Sequence, residues 1–132
     1  MIVDSSAMVS VIKREADWID LSRAMNSAKN LSISAASYLE TSIVLDGRHD
    51  PAQSARLDDL IEELGMVIEP VTSHQARIAR QAYRDYGKGS GHPANLNFGD
   101  CFSYALARVH REPILYKGDD FLHTDLRSAL ES

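Results

Sequence analysis

The sequence has one cysteine, Cys101, among 132 residues. A single thiol closes no internal disulfide and builds no thiolate metal cage, which removes disulfide-stapled scaffolds and zinc-finger classes and points to a reducing, cytoplasmic setting. Long apolar runs are also missing: none approaches the roughly 20 residues of a spanning helix, so no membrane association is expected. The opening stretch, MIVDSSAMVSVIKREADW, has no basic segment ahead of its apolar start and meets an acid at position 4, unlike a signal peptide. Basic charge is scarce as well, with 14 Lys and Arg against 19 Asp and Glu and a formal net charge of −5. That excludes a general nucleic-acid coating protein, whose affinity comes from many cationic contacts to phosphate. It leaves open an enzyme acting on nucleic acid, because carboxylates grouped around a divalent cation also make a chain acidic. No repeat, low-complexity tract or linker interrupts the chain, and residues 1–132 read as a single domain.

What is present is a regular alternation of short apolar runs and helical patterns, in a chain that is 44% hydrophobic. MIV is a short buried strand that passes at Asp4 into a helix carrying Met8, Val9 and Ile12, and EADWIDLSRAMNSA continues that helix through Trp18, Leu21 and Met25. LSIS is a second strand, with Ser34 as N-cap of the helix AASYLETSIVLDG, which Gly47 ends. Pro51 opens a helix whose Leu57, Leu60, Ile61 and Leu64 form a clean apolar stripe, closed by Gly65. MVIEPV is a third strand, and Ser73 is expected to cap HQARIARQAYRDYG. After the loop GKGSGHPANLN, the segment NLNFGDCFSYALARVHRE forms a helix with Phe98, Phe102, Ala105, Leu106 and Val109 on one stripe, and PILY is a fourth strand ending in KGDDF. Strands alternating with helices predict an α/β fold with a central parallel sheet covered on both faces, whose ligands bind beyond the carboxyl ends of the strands.

Asp4 follows the first strand, Asp119 and Asp120 follow the last, Glu40 lies in the helix after the second, and Asp100 opens its own helix. Taken singly, each such position is more often a helix cap or a solvated charge than part of a site. With crossover helices, however, Asp4, Glu40, Asp100 and Asp119 converge on one cleft. Carboxylates so close repel one another, and one stays protonated unless a cation neutralises them. An oxygen-only set suits a hard cation, Mg2+ or Mn2+, rather than zinc. Such a cation orients a phosphodiester, lowers the pKa of a bound water and stabilises charge on the attacking and leaving oxygens, the chemistry of a nuclease. A phosphoacceptor domain also gathers acids at strand ends, but its mid-chain strand would end in Asp, whereas MVIEPV ends in Glu69 and Pro70. Arg77, Arg80 and Arg84 recur on one helix face, and Lys88, His92 and Lys117 fall in or near loops on the cleft side, so a basic stripe for RNA phosphates and a solvated helix face are both open readings.

MIVDSSA, SAASYLE, NFGDCFSYALA and ILYKGDDFLHTDL together resemble the four motif regions of PIN-domain proteins, in particular VapC toxins of bacterial VapBC toxin–antitoxin systems. The resemblance spans the chain in order. It implies a three-layer α/β/α fold with four or five parallel strands, an acidic pocket for magnesium or manganese, and hydrolytic endonuclease cleavage of RNA leaving a 5′-phosphate and a 3′-hydroxyl. Asp4 and Asp100 match the firmest metal ligands and Glu40 the acid that completes the pocket. For the fourth acid, GDDF offers Asp119, expected because it comes first after the strand, with Asp120 as the alternative. Ser5 and Ser6 stand where relatives carry Thr and then Ser or Asn, and Ser6 retains a hydroxyl for the pocket. His123 reads as a surface or dimer-contact residue and Cys101 as a small core residue. The resemblance further implies a cognate VapB-type antitoxin that lays an apolar helix in a groove near Met8, Ile12, Leu39 and Ile43 and reaches an Arg toward the acids. It also implies a homodimer, with surfaces along QAYRDYG or LDDLIEELG, and contact with DNA only through the antitoxin. The competing reading is a weakly active or inactive PIN-fold binding module acting through assembly with antitoxin and DNA.

Overall fold

The computed structural model describes residues 1–47 and 50–130. Its strands are β1 (Ile2–Val3), β2 (Ser32–Ser34), β3 (Val67–Glu69) and β4 (Ile114–Leu115). Its helices are α1 (Ser5–Lys13), α2 (Trp18–Ser27), α3 (Ala35–Asp46), α4 (Pro51–Leu64), α5 (Ser73–Tyr86) and α6 (Phe98–His110). The strands form one parallel sheet in the order β3-β2-β1-β4, with Ile2 paired to both Ser32 and Ile114 and Val3 to Leu115.

Strand alternation sorts the core into two layers. Val3 and Leu115 point into a cluster with Met8, Leu21, Met25 and Leu57. Ile2 and Ile114 point the other way, against Leu106, Tyr104, Leu96 and Phe121. The sheet is therefore buried on both faces, as its apolar runs require. Because β1 starts at the centre of the sheet and ends at Asp4, the first acid emerges at the middle of the carboxyl edge.

Four expectations change. The helix expected to run from Ser5 into the Trp18 region breaks at Arg14, which adopts the left-handed conformation (φ 53°) and donates its N–H to the Ser10 and Val11 carbonyls, while its guanidinium stacks 5.1 Å from the Trp18 ring. Thr72, rather than Ser73, caps α5, its hydroxyl accepting from the Gln75 N–H at 3.1 Å. The inward face of α6 is rotated from the expected stripe: Phe98 is 76% exposed and Val109 exposed, while Cys101, Tyr104 and Ala107 join Ala105 and Leu106 inside. Met8 and Ile12, expected in a groove, are core residues. Leu57 is buried and Leu60, Ile61 and Leu64 pack on the core, so the apolar stripe of α4 is spent within the domain.

Candidate active site

Asp4 is the N-cap of α1 and is buried, with 2% of its surface exposed. One carboxylate oxygen accepts from the Ser6 backbone N–H at 3.0 Å, and the other from the Ser103 hydroxyl at 2.5 Å. Burial pushes its pKa up, opposed by the hydrogen bonds from Ser103 and Ser6. Ser103 sits one helical turn beyond Asp100 on the same face of α6, and its hydroxyl also meets that of Ser37, one turn before Glu40 on α3, at 3.0 Å. A buried chain of hydroxyls thus ties α3 and α6 to the first acid.

Asp100 stands at the third position of α6 and closes a capping box: the Asn97 side chain accepts from the Asp100 N–H at 2.9 Å, and the Asp100 carboxylate accepts from the Asn97 N–H at 3.0 Å. The same carboxyl is pushed up to about 7. Burial is the largest cause, partly offset by the Asn97 N–H, and the charges of Asp4 and Asp120 together with a hydrogen bond shared with Asp120 raise it further. Of the two acids in GDDF, Asp120 is therefore the one that acts on Asp100, where the sequence order favoured Asp119. Gly118 adopts φ +92°, a left-handed conformation unstrained for glycine, and the chain then turns, the Asp119 carbonyl accepting from the Leu122 N–H at 3.0 Å.

Glu40 approaches from α3. Its carboxylate accepts from the Ser5 hydroxyl at 2.8 Å and lies directly against Gly99, where any Cβ would collide with it. The glycine before Asp100 is thus the space Glu40 occupies. Ser6 serves the pocket through its side chain as expected, its hydrogen bond to Asp4 lowering that carboxyl, and its hydroxyl also accepts from the Lys117 N–H at 3.0 Å, fastening the segment after β4 to the start of α1.

Asp4, Asp100 and Asp120 are electrostatically joined, and Glu40 borders them across Gly99. By donor type these hard oxygens suit magnesium or manganese. The raised Asp100 carboxyl, beside the charges of Asp4 and Asp120, marks a place where a cation would relieve repulsion. Among the described residues no three His, Cys, Asp or Glu side chains form a ready-made metal cage, so the carboxyls would exchange present hydrogen-bond partners on ligation.

Other singled-out residues separate from this centre. Cys101 is buried, its thiol pushed up to about 11 by burial and then by Asp100, which makes it an inert packing residue. His123 is exposed. His92 is committed locally, its Nδ1 accepting from the Ala94 N–H at 3.1 Å and its ring 4.9 Å from Tyr86, edge to face. Arg77, Arg80, Arg84 and Lys88 are exposed, and Arg80 lines a shallow groove between α5 and α6 together with Tyr83, Phe98 and Phe102. Beside Glu40 an apolar cleft of about 430 Å³ is lined by Leu39, Ile43, Val44, Phe98 and Phe102. Leu39 and Ile43, 58% and 63% exposed, are the two members of the expected groove that remain on the surface. Ser5, Ser37, Ser103, Asn97 and Gly99 were not singled out as parts of the acidic centre; one signal was available, since Ser37 and Ser103 each lie three residues from an acid on a helix.

Residues 1–126 match the PIN domain family. Over 131 residues the chain is 56% identical to the ribonuclease VapC28 of Mycobacterium tuberculosis, covering 99% of this chain and 98% of the relative. Over 129 residues it is 48% identical to the ribonuclease VapC42 of the same organism, covering 98% of each. Two solved structures are similar in fold. One is Mycobacterium tuberculosis VapC20, described as a sarcin–ricin loop cleaving toxin, with a TM-score of 0.73 at 18% identity over 95% of both chains. The other is a toxin–antitoxin complex from Klebsiella pneumoniae, with a TM-score of 0.71 at 15% identity over 99% of this chain and 98% of that one. A family match along almost the whole chain, the parallel sheet between helices and full-length identity of this order together lead to one assignment: the chain belongs to the PIN domain family, among the VapC ribonucleases.

Proposed function

We propose that the protein is the toxin of a toxin–antitoxin pair and an endoribonuclease that hydrolyses RNA phosphodiester bonds with a divalent cation, magnesium or manganese. The observation that carries the reading is the meeting of Asp4, Asp100 and Asp120 with Asp100 poised at about 7. Asp4 and Asp100 would hold the cation, with Glu40 and Asp120 completing the shell directly or through water. When bound, that cation supplies a Lewis acid that activates water and offsets charge on the phosphate oxygens. Ser103 and the Ser6 N–H hold Asp4, Asn97 holds Asp100, and Ser5 holds Glu40, so each acid is kept beside the site by a contact that would yield in part as the cation binds. Asp100 is among the groups that would hold the cation, whose positive charge would favour the ionised form of a carboxyl that burial otherwise holds at about 7.

The exposed stripe Arg77, Arg80, Arg84 and Lys88 supports RNA binding beside the acids. An antitoxin of the VapB type fits the apolar cleft of Leu39, Ile43 and Phe98, since an amphipathic helix seated there would carry a cation within reach of Glu40. Tyr83, exposed on α5, supports that helix over α4 as the homodimer surface, because the apolar stripe of α4 is already packed.

The test is cleavage of cellular RNA by metal-stripped, antitoxin-free protein with and without added magnesium or manganese, alongside Asp100→Ala. Cleavage that requires the cation, disappears in the variant and leaves 5′-phosphate ends is the expected result. Folded protein that cuts no RNA would favour the binding-module reading, and equal cleavage by both samples would expose a contaminant.

A further inference from the structure

A second cavity, of about 440 Å³, opens beside the acids between α1 and the segment after β4, lined by Ser5, Ser6, Glu15, Glu40 and Lys117. The Lys117 ammonium lies 3.1 Å from one Glu15 oxygen, and Lys13 approaches the other at 4.0 Å. One carboxylate cannot neutralise two ammoniums, so the trio keeps one positive charge. It does so at the edge of a cavity whose other charged lining residue, Glu40, is one of the acids of the site. Position is fixed as well: the Lys117 N–H donates to Ser6, whose own N–H donates to Asp4, so the lysine backbone is two hydrogen bonds from the first acid. The Lys117–Glu15 pair is one-third exposed on each side, a weak solvent-screened contact that an arriving phosphate can displace.

We propose that Lys117 binds an RNA backbone phosphate adjoining the scissile one, and that Glu15 is a positioning residue that parks the ammonium at the cavity mouth and yields it to RNA. The proposal rests on the RNA-hydrolysis reading. It adds a substrate contact in a cavity separate from the groove that Arg80 lines.

The experiment uses the Asp100→Asn protein, so that substrate survives, and follows the anisotropy of a short fluorescent single-stranded oligoribonucleotide of mixed sequence as salt is varied. Lys117→Met should weaken binding several-fold at low salt and shrink the salt slope by about 0.7, the loss of one phosphate contact to a single strand. Lys117→Arg should retain the slope. Glu15→Gln should tighten binding, with no gain in the Glu15→Gln, Lys117→Met double variant, because the two residues act through one contact. An unchanged slope in Lys117→Met at an unchanged melting temperature overturns the proposal, as does equal tightening by Glu15→Gln with and without Lys117. Wild-type protein that cleaves no RNA while the Lys117-dependent slope persists would remove the hydrolytic reading and leave the phosphate site standing.

Discussion

Replacing Asp100 by Asn should abolish cleavage and, in the absence of divalent cations, make the protein more stable at pH 8. The carboxyl has an ordinary value of 3.8 and is held at about 7 in the folded protein, chiefly by burial and then by the charges of Asp4 and Asp120. A group raised in this way favours folding while it is protonated. Its contribution is complete below about pH 4, is lost as the pH climbs from 3.8 to about 7, and changes little beyond. The full gap corresponds to about 4 kcal/mol by the equivalence of pKa and free energy. Because Asp4 and Asp120 remain after the substitution, part of the repulsion stays in the cluster, and about 2 kcal/mol is the expected gain. The capping box survives, since an amide oxygen still accepts from the Asn97 N–H. For a chain of this length that gain raises the melting temperature by about 8 °C. Thermal unfolding in chelator-containing buffer from pH 4 to pH 8 reads it: the two proteins should be close at pH 4 and diverge as the wild type loses stability toward pH 7. Added magnesium should narrow the difference by stabilising only the wild type. A variant that melts below the wild type at pH 8, or a difference independent of pH, would refute the picture of a site held together against its own repulsion.

Asp120→Asn should lower the cleavage rate by at least tenfold while Asp119→Asn leaves it within about threefold, since Asp120 is the acid acting on Asp100; single-turnover kinetics at saturating magnesium decide between them. Gly99→Ala drives a methyl into the Glu40 carboxylate, which can swing away at a stability cost of under about 1 kcal/mol but leaves its Ser5 contact. That variant should fold with a near-native melting temperature and lose activity, and native activity would detach Glu40 from the chemistry. Ser103→Ala removes the hydroxyl bridging Asp4 and Ser37 and should destabilise the fold by about 1–2 kcal/mol, read by urea unfolding; no change would mean the buried carboxylate does not depend on that donor. Neutralising Arg77, Arg80 and Arg84 together should reduce the salt slope of RNA binding by about 2, and an unchanged slope would return the stripe to a solvated helix face.

The strand and helix order was legible because each element carries its own punctuation: Asp4 after a valine, Ser34 before an alanine pair, Pro51 and Gly65 around one amphipathic stripe. The acids were legible for the same reason, since strand ends and helix starts are where a parallel sheet exposes its edge. What was not legible depends on rotation and on partners distant in sequence. Phe98 has the spacing of a core residue, yet α6 turns Cys101 and Tyr104 inward instead, because Asp100 and Ser103 must face the cleft and the apolar arc shifts to accommodate them. Met8 and Leu39 share helical spacing in their own segments, but only the sheet decides that Met8 is covered. The choice between Asp119 and Asp120 rests on a left-handed glycine and one turn, which no count of residues from the strand could settle.

The two acids at the heart of the site are also helix initiators, Asp4 holding the first turn of α1 and Asp100 locking the first turn of α6. Arming the enzyme is therefore a by-product of folding it. Loosening either side chain to silence the chemistry would fray the secondary structure that carries it, so the domain has no cheap internal safety catch. A control that leaves the fold intact therefore has to act on something other than these two side chains.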